Sequence, residues 1–130
     1  MAHLYEWGGH NNKGVWEFDI KRPGWEMPIH QLMVQNGVTI FFQGHDHVFV
    51  QQQFDGVIYQ TTPYPADPNY SLNNADRYTS GDKLPCSGYV RVTVSEFSVL
   101  VEYVRTFLPT DETAEQVNGQ VAYTYTVTAP

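Results

Sequence analysis

His45, Asp46 and His47 stand in a row at the end of a β-branched and aromatic run, Val38-Thr39-Ile40-Phe41-Phe42-Gln43. Imidazoles and carboxylates are common ligands of divalent transition metals. On an extended segment, residues two apart point the same way with Cα atoms roughly 6.5 to 7 Å apart, so both rings can converge on one ion or serve two adjacent ones. Hydrogen-bonded or surface histidines at a strand end are the plainer explanation of such a pair. The apolar strand before it and the three consecutive donor residues favour the metal reading. Gly44 is read as the residue that lets the backbone turn tightly there. Asp46 is expected to be a solvated carboxylate, or one that orients a histidine, rather than a ligand.

The elements that must position this segment are legible on either side. Residues 1 to 27 combine Gly8-Gly9, Asn11-Asn12, Gly14 and Pro23-Gly24 with Trp7, Trp16, Phe18 and Trp25, a loop-rich stretch pinned by aromatics. Pro28, apolar positions 29, 32 and 33, and the Asn36-Gly37 stop predict a short helix over 28 to 36. Residues 38 to 43 predict a strand buried on both faces. Residues 48 to 53 and 57 to 62 predict two strands joined through Phe54-Asp55-Gly56, where Asp-Gly is a strong hairpin signal. A long loop over 63 to 86, rich in Pro, Asp, Asn and Tyr, follows, and Tyr64, Tyr70 and Tyr78 with Pro63, Pro65, Asp67 and Pro68 are candidates to line a substrate mouth. Val90, Val92 and Val94 alternate with polar residues, and a second run begins at Phe97, giving a hairpin with one buried face. Residues 109 to 130 form a polar tail in which 121 to 127 can add an edge strand.

His30 reads as a packed or hydrogen-bonded structural histidine and His10 as a solvated loop residue. Cys86 is the only cysteine, so the chain has no intramolecular disulfide, and with no cationic cluster around it the thiol reads as inert. The length of 130 residues fits one domain. Hydrophobic residues make up 42% but no uninterrupted apolar run approaches the eighteen or so that span a bilayer, and no charged-then-apolar secretory segment opens the chain. A formal charge of −7 argues against nucleic acid as a partner, and small phosphorylated substrates would need a metal to attract them.

The strand with Gly44-His45-Asp46-His47-Val48-Phe49 resembles the strand and Gly-His-x-His motif that closes the metal site of calcineurin-like metallophosphoesterases. Further segments are similar to extracytoplasmic bacterial members of that family: Tyr5-Glu6-Trp7-Gly8-Gly9, Arg22-Pro23-Gly24-Trp25 with Pro28-Ile29-His30, Asp55-Gly56-Val57-Ile58-Tyr59-Gln60, and Ser87-Gly88-Tyr89-Val90-Arg91-Val92-Thr93-Val94. The resemblance covers about residues 4 to 108. It implies an α+β fold, the β-rich C-terminal half of an αββα sandwich that is largely one sheet plus a short helix, with residues 1 to 130 a single partial domain. It also implies an extracytoplasmic or secreted location. His45 would ligate one metal and His47 the other in a two-metal site of Fe, Mn or Zn, which polarises phosphoryl oxygens and generates the hydroxide that attacks a phosphomonoester or phosphodiester.

The family's N-terminal ligand motifs, Asp-x-His, Gly-Asp-x-x-Asp and Gly-Asn-His-Asp/Glu, do not occur in these 130 residues. The chain alone is therefore expected to hold an incomplete site, and His3 falls where the segment starts rather than at the family's remaining histidine ligand. A cupin-like barrel is disfavoured, since Gln51 or Gln52 stands where its Glu belongs. A non-catalytic β-rich binding module, the remnant of such an enzyme, is the alternative. Half a sandwich leaves apolar rows to cover, Ile40 and Phe42 with Val90, Val92, Val94, Phe97, Val99 and Val101, and this predicts a homodimer through an exposed sheet face.

Overall fold

The computed structural model describes residues 9 to 11 and 13 to 128. Two short helices, α1 (Phe18–Lys21) and α2 (Ile29–Gln35), precede seven strands: β1 (Ile40–Gln43), β2 (Phe49–Phe54), β3 (Val57–Thr61), β4 (Asp82–Leu84), β5 (Gly88–Val94), β6 (Ser98–Arg105) and β7 (Val121–Thr128). The protein is α+β and β-rich, with one short helix where Pro28 and Asn36-Gly37 predict it. The strands divide into two sheets rather than largely one. The first is ordered β1-β3-β2-β4 and the second β5-β6-β7. No helix among the described residues is long and apolar enough to cross a membrane.

Each hairpin follows from local chemistry. Asp55 and Gly56 both take positive φ, 46° and 83°, the geometry a two-residue turn needs to match the strand twist between β2 and β3. β4 is too short to show alternation in the sequence and lies inside the long loop. It can pair with β2 because Gly81, at φ +89°, has no Cβ: one would strike the Gln51 carbonyl and come within 2.7 Å of Gln52 Cγ. β7 pairs antiparallel with β6 and forms the edge of the second sheet. Ser95 and Ser98 close the β5–β6 turn, which leaves Phe97 in the turn and 70% exposed rather than in the buried row.

The first sheet has two different coverings. Strand registers place Phe41, Val57 and Tyr59 on one face, where Met33, Ile29 and Val38 pack against them. The predicted structural histidine sits in this layer: His30 is buried, Nδ1 2.6 Å from the Tyr59 hydroxyl and Nε2 3.0 Å from Asp55 Oδ2, with Phe54 stacked on its ring. Burial and the nearby Asp55 carboxylate push the Tyr59 phenol up to about 12. This bridge ties α2 to the β2–β3 turn.

The opposite face meets the second sheet. Phe49 lies flat on Tyr103, ring centroids 4.6 Å apart, and tilts against Tyr123 at 5.2 Å. Val101 and Tyr103 are fully buried beneath it. Toward the other end the sheets part, and Ile40 and Phe42 face Val92, Val94, Val99 and Val127 across a gap of about 390 Å³. Hence β1 is not buried on both faces: helix α2 covers one, while Phe42, on the gap side, stays 42% exposed. The apolar rows expected to await a second molecule face each other within the chain.

Phe49→Ala removes the ring that both tyrosines pack on. It is expected to destabilise the fold by about 3–5 kcal/mol, read as a lower urea midpoint, whereas Phe97→Ala in the open turn should leave the midpoint within error.

Candidate functional site

The segment between β1 and β2 is a bend, not an extended strand. His45 has φ 85° and His47 φ 57°, both left-handed, while Gly44 does not, and a Cβ on Gly44 would make only an ordinary 3.4 Å contact with Thr62 Oγ1. The strained positions are therefore the histidines themselves. Histidine tolerates this region better than most side chains, yet each such residue costs on the order of 1–3 kcal/mol and persists only where its surroundings impose it.

Those surroundings are specific. Both histidines are exposed, but Asp46 between them is only 3% exposed. Its Oδ2 accepts a 2.7 Å hydrogen bond from the Tyr78 hydroxyl, and its carbonyl accepts one from Asn74 Nδ2 at 3.0 Å. Asp46 is thus a buried anchor and not the solvated carboxylate that was one expectation from the sequence. An alternation of exposed, buried and exposed side chains around a bend turns Asp46 inward and leaves both imidazoles outside. Tyr78 is itself 1% exposed, among Val48, Val50 and Ala75. Burial chiefly, with the Asp46 acceptor adding to it, raises its phenol well above the usual range, so the hydroxyl serves as a donor.

A second set of contacts holds His47. The Cys86 thiol donates to the His47 carbonyl at 2.7 Å, and Cys86 Sγ accepts from the Tyr64 backbone N–H at 3.2 Å. The Tyr64 ring stacks on the His47 ring, centroids 5.0 Å apart and planes 22° from parallel. Tyr64, Cys86 and His47 close a loop of contacts that fixes both the backbone and the ring plane of His47. Burial raises the Cys86 thiol, in keeping with a structural rather than a nucleophilic role. Its bonding to a candidate ligand was not legible in the sequence, because 39 residues separate the two.

Of the candidate mouth tyrosines, only Tyr64 stands beside the histidine pair with an exposed face. Tyr78 supports the site from beneath. Tyr70 donates to Asp111 Oδ2 at 2.6 Å and packs on Phe107, which braces the loop against the tail. Asp67 folds the same loop by accepting from the Ser71 hydroxyl and from the backbone N–H groups of Ser71 and Asn69; led by the Ser71 hydroxyl, these donors hold its carboxyl below the usual range. His10 packs edge-on against Trp16 at 5.1 Å, within a cleft of Gly9, Asn11, Glu17 and Phe18. His3 lies outside the described residues.

The chemistry available is that of two exposed imidazoles on one rigid bend. Among the described residues no group of three or more His, Cys, Asp or Glu is arranged to hold a metal ion. His45 and His47 belong to no such group among the described residues. No protein-family model matches the chain, and no curated protein matches it.

Tyr78→Phe deletes one donor to the buried Asp46 carboxyl. A loss of about 1–3 kcal/mol is expected, together with faster amide exchange over residues 45 to 48. Cys86→Ser, which keeps a donor toward the His47 carbonyl, should slow that exchange again relative to Cys86→Ala.

Proposed function

We propose that this chain is the imidazole-bearing part of a metal-dependent phosphoesterase, with His45 and His47 as ligands for divalent Fe, Mn or Zn and a phosphomonoester or phosphodiester as substrate. The observation that carries the reading is the bend itself: two histidines held outward at left-handed φ above a carboxyl locked inward. Backbone strain of this kind clusters at functional sites. The Gly-His-x-His resemblance supplies the reaction class.

When bound, a pair of divalent cations supplies Lewis-acid polarisation of a phosphoryl oxygen and a water nucleophile at neutral pH. The chain's own residues do the positioning. Tyr64 holds the His47 ring plane, Cys86 holds its carbonyl, and Tyr78 with Asn74 holds Asp46 so that the bend cannot relax outward. A two-cation site also needs carboxylates to offset the mutual repulsion of the ions, and the reading requires them from outside the described residues. The rival reading, a β-rich binding module without catalysis, draws on the same incomplete donor set.

Calorimetric titration of Zn²⁺ or Mn²⁺ into the chain separates the two. Weak binding is expected, lost on acidification as the imidazole lone pairs are protonated and abolished by His45→Ala combined with His47→Ala. Aryl phosphate turnover by the chain alone should stay near background. No binding at all, or binding that survives the double substitution, would sink the metal assignment.

A further inference from the structure

The two sheets meet at Phe49 and part beyond it, and strand registers give the order of inward-facing rows away from that joint. The next row holds Gln60 and Phe42 on the first sheet and Val92 and Tyr125 on the second. The row after it sets Ile40 against Val94, Val99 and Val127. The gap of about 390 Å³ opens along these two rows, with Ile40 and Phe42 on one side and valines on the other. A volume of this size lies within the range of small-molecule sites, which are mostly apolar with a few polar groups converging on them.

Two such groups stand in the nearer row. Gln60 is fully buried, its Nε2 is spent on the Val50 and Thr61 carbonyls, and its Oε1 has no hydrogen-bond partner. The Tyr125 hydroxyl is shielded from water and has none either. Burial chiefly pushes that phenol up to about 12, so it remains a neutral O–H at physiological pH. One acceptor and one donor are thus left unpaired beside an apolar gap, between the same two sheets, and each costs folding free energy for as long as it stays so.

We propose that the gap between the sheets binds an uncharged aliphatic alcohol, whose hydroxyl donates to Gln60 Oε1 and accepts from the Tyr125 O–H while its chain lies along Val92, Val94, Val99 and Val127. The site does not rest on the metal reading of the histidine bend.

The chemistry of the lining selects this occupant. A hydroxyl is a donor and an acceptor at once, which is what Gln60 Oε1 and the Tyr125 O–H together require. A carboxylate brings no donor for Gln60, and it would meet Glu96, the only charged residue lining the gap among the described residues, in a chain of net charge −7. A strand from a second copy or another protein brings backbone N–H and C=O groups with each residue, more polar groups than a lining of valines can pair.

Calorimetric titration of octanol into the intact chain tests the site. One octanol per chain is expected, with a negative heat-capacity change from apolar burial. Octanoate at neutral pH should bind at least about tenfold more weakly, because it leaves Gln60 Oε1 unpaired. Tyr125→Phe removes only the unpaired hydroxyl, and should weaken octanol about three- to tenfold without lowering the melting midpoint. Val94→Trp, at an exposed position on the wall of the gap, fills it and should abolish binding. Absent or non-saturable octanol binding, octanoate as tight as octanol, or octanol affinity indifferent to Tyr125→Phe or to Val94→Trp would each overturn the proposal. So would a chain that light scattering shows to be dimeric and that takes up no octanol, the result expected where a second copy covers the gap. Should Val94→Trp not fold, Tyr125→Phe and the octanoate comparison decide.

Discussion

The stacking of Phe49 between the sheets is the contact on which the remaining architecture depends. Its ring lies flat on Tyr103 and against Tyr123, so one residue of β2 joins the first sheet to both β6 and β7. The joint is reinforced at its rim, where Tyr103 donates to the Pro85 carbonyl at 2.6 Å and Tyr123 donates to Asp82. These contacts sit directly after the histidine bend in the chain. Whatever fixes β2 against the second sheet also fixes where residues 45 to 48 begin and end.

The bend then inherits rigidity from both sides of the first sheet. Phe49 faces the second sheet, while Val48 and Val50 face Tyr78, whose hydroxyl reaches back to Asp46. A strand anchored on both faces gives its preceding residues little freedom, and two left-handed histidines are sustainable only there. The long loop supplies the rest. Its internal bonds at Asp67 and its bracing through Tyr70 and Asp111 bring Tyr64, Asn74 and Tyr78 to the bend from separate points along the chain.

The layer between the sheets is not wholly apolar. Gln60 is fully buried and donates to the Val50 and Thr61 carbonyls, yet its Oε1 has no hydrogen-bond partner; on the other face of the same sheet, Gln52 Oε1 likewise has none. A buried unpaired acceptor costs on the order of 1–3 kcal/mol. The open gap beside Phe42, Val92 and Val94 adds unburied apolar surface to that cost.

The sequence by itself determined what depends on neighbours along the chain. Pro28 and Asn36-Gly37 bound α2, Asp55-Gly56 makes the β2–β3 turn, and the valine alternation from Val90 makes β5, because caps, turns and two-residue periodicity are short-range effects. The same locality made His45 and His47 visible as a pair. Only the tertiary structure decided how that pair is presented. Whether a bend between strands is extended or left-handed, whether Asp46 points to water or to Tyr78, and whether Cys86 is inert or bonded to the His47 carbonyl depend on residues 32 and 39 positions away. Likewise β4 pairs only because Gly81 admits the Gln51 carbonyl, and the strands part into two sheets because Phe49 and Tyr103 meet face to face. Burial and strain are properties of the assembled core, and no window of sequence contains them.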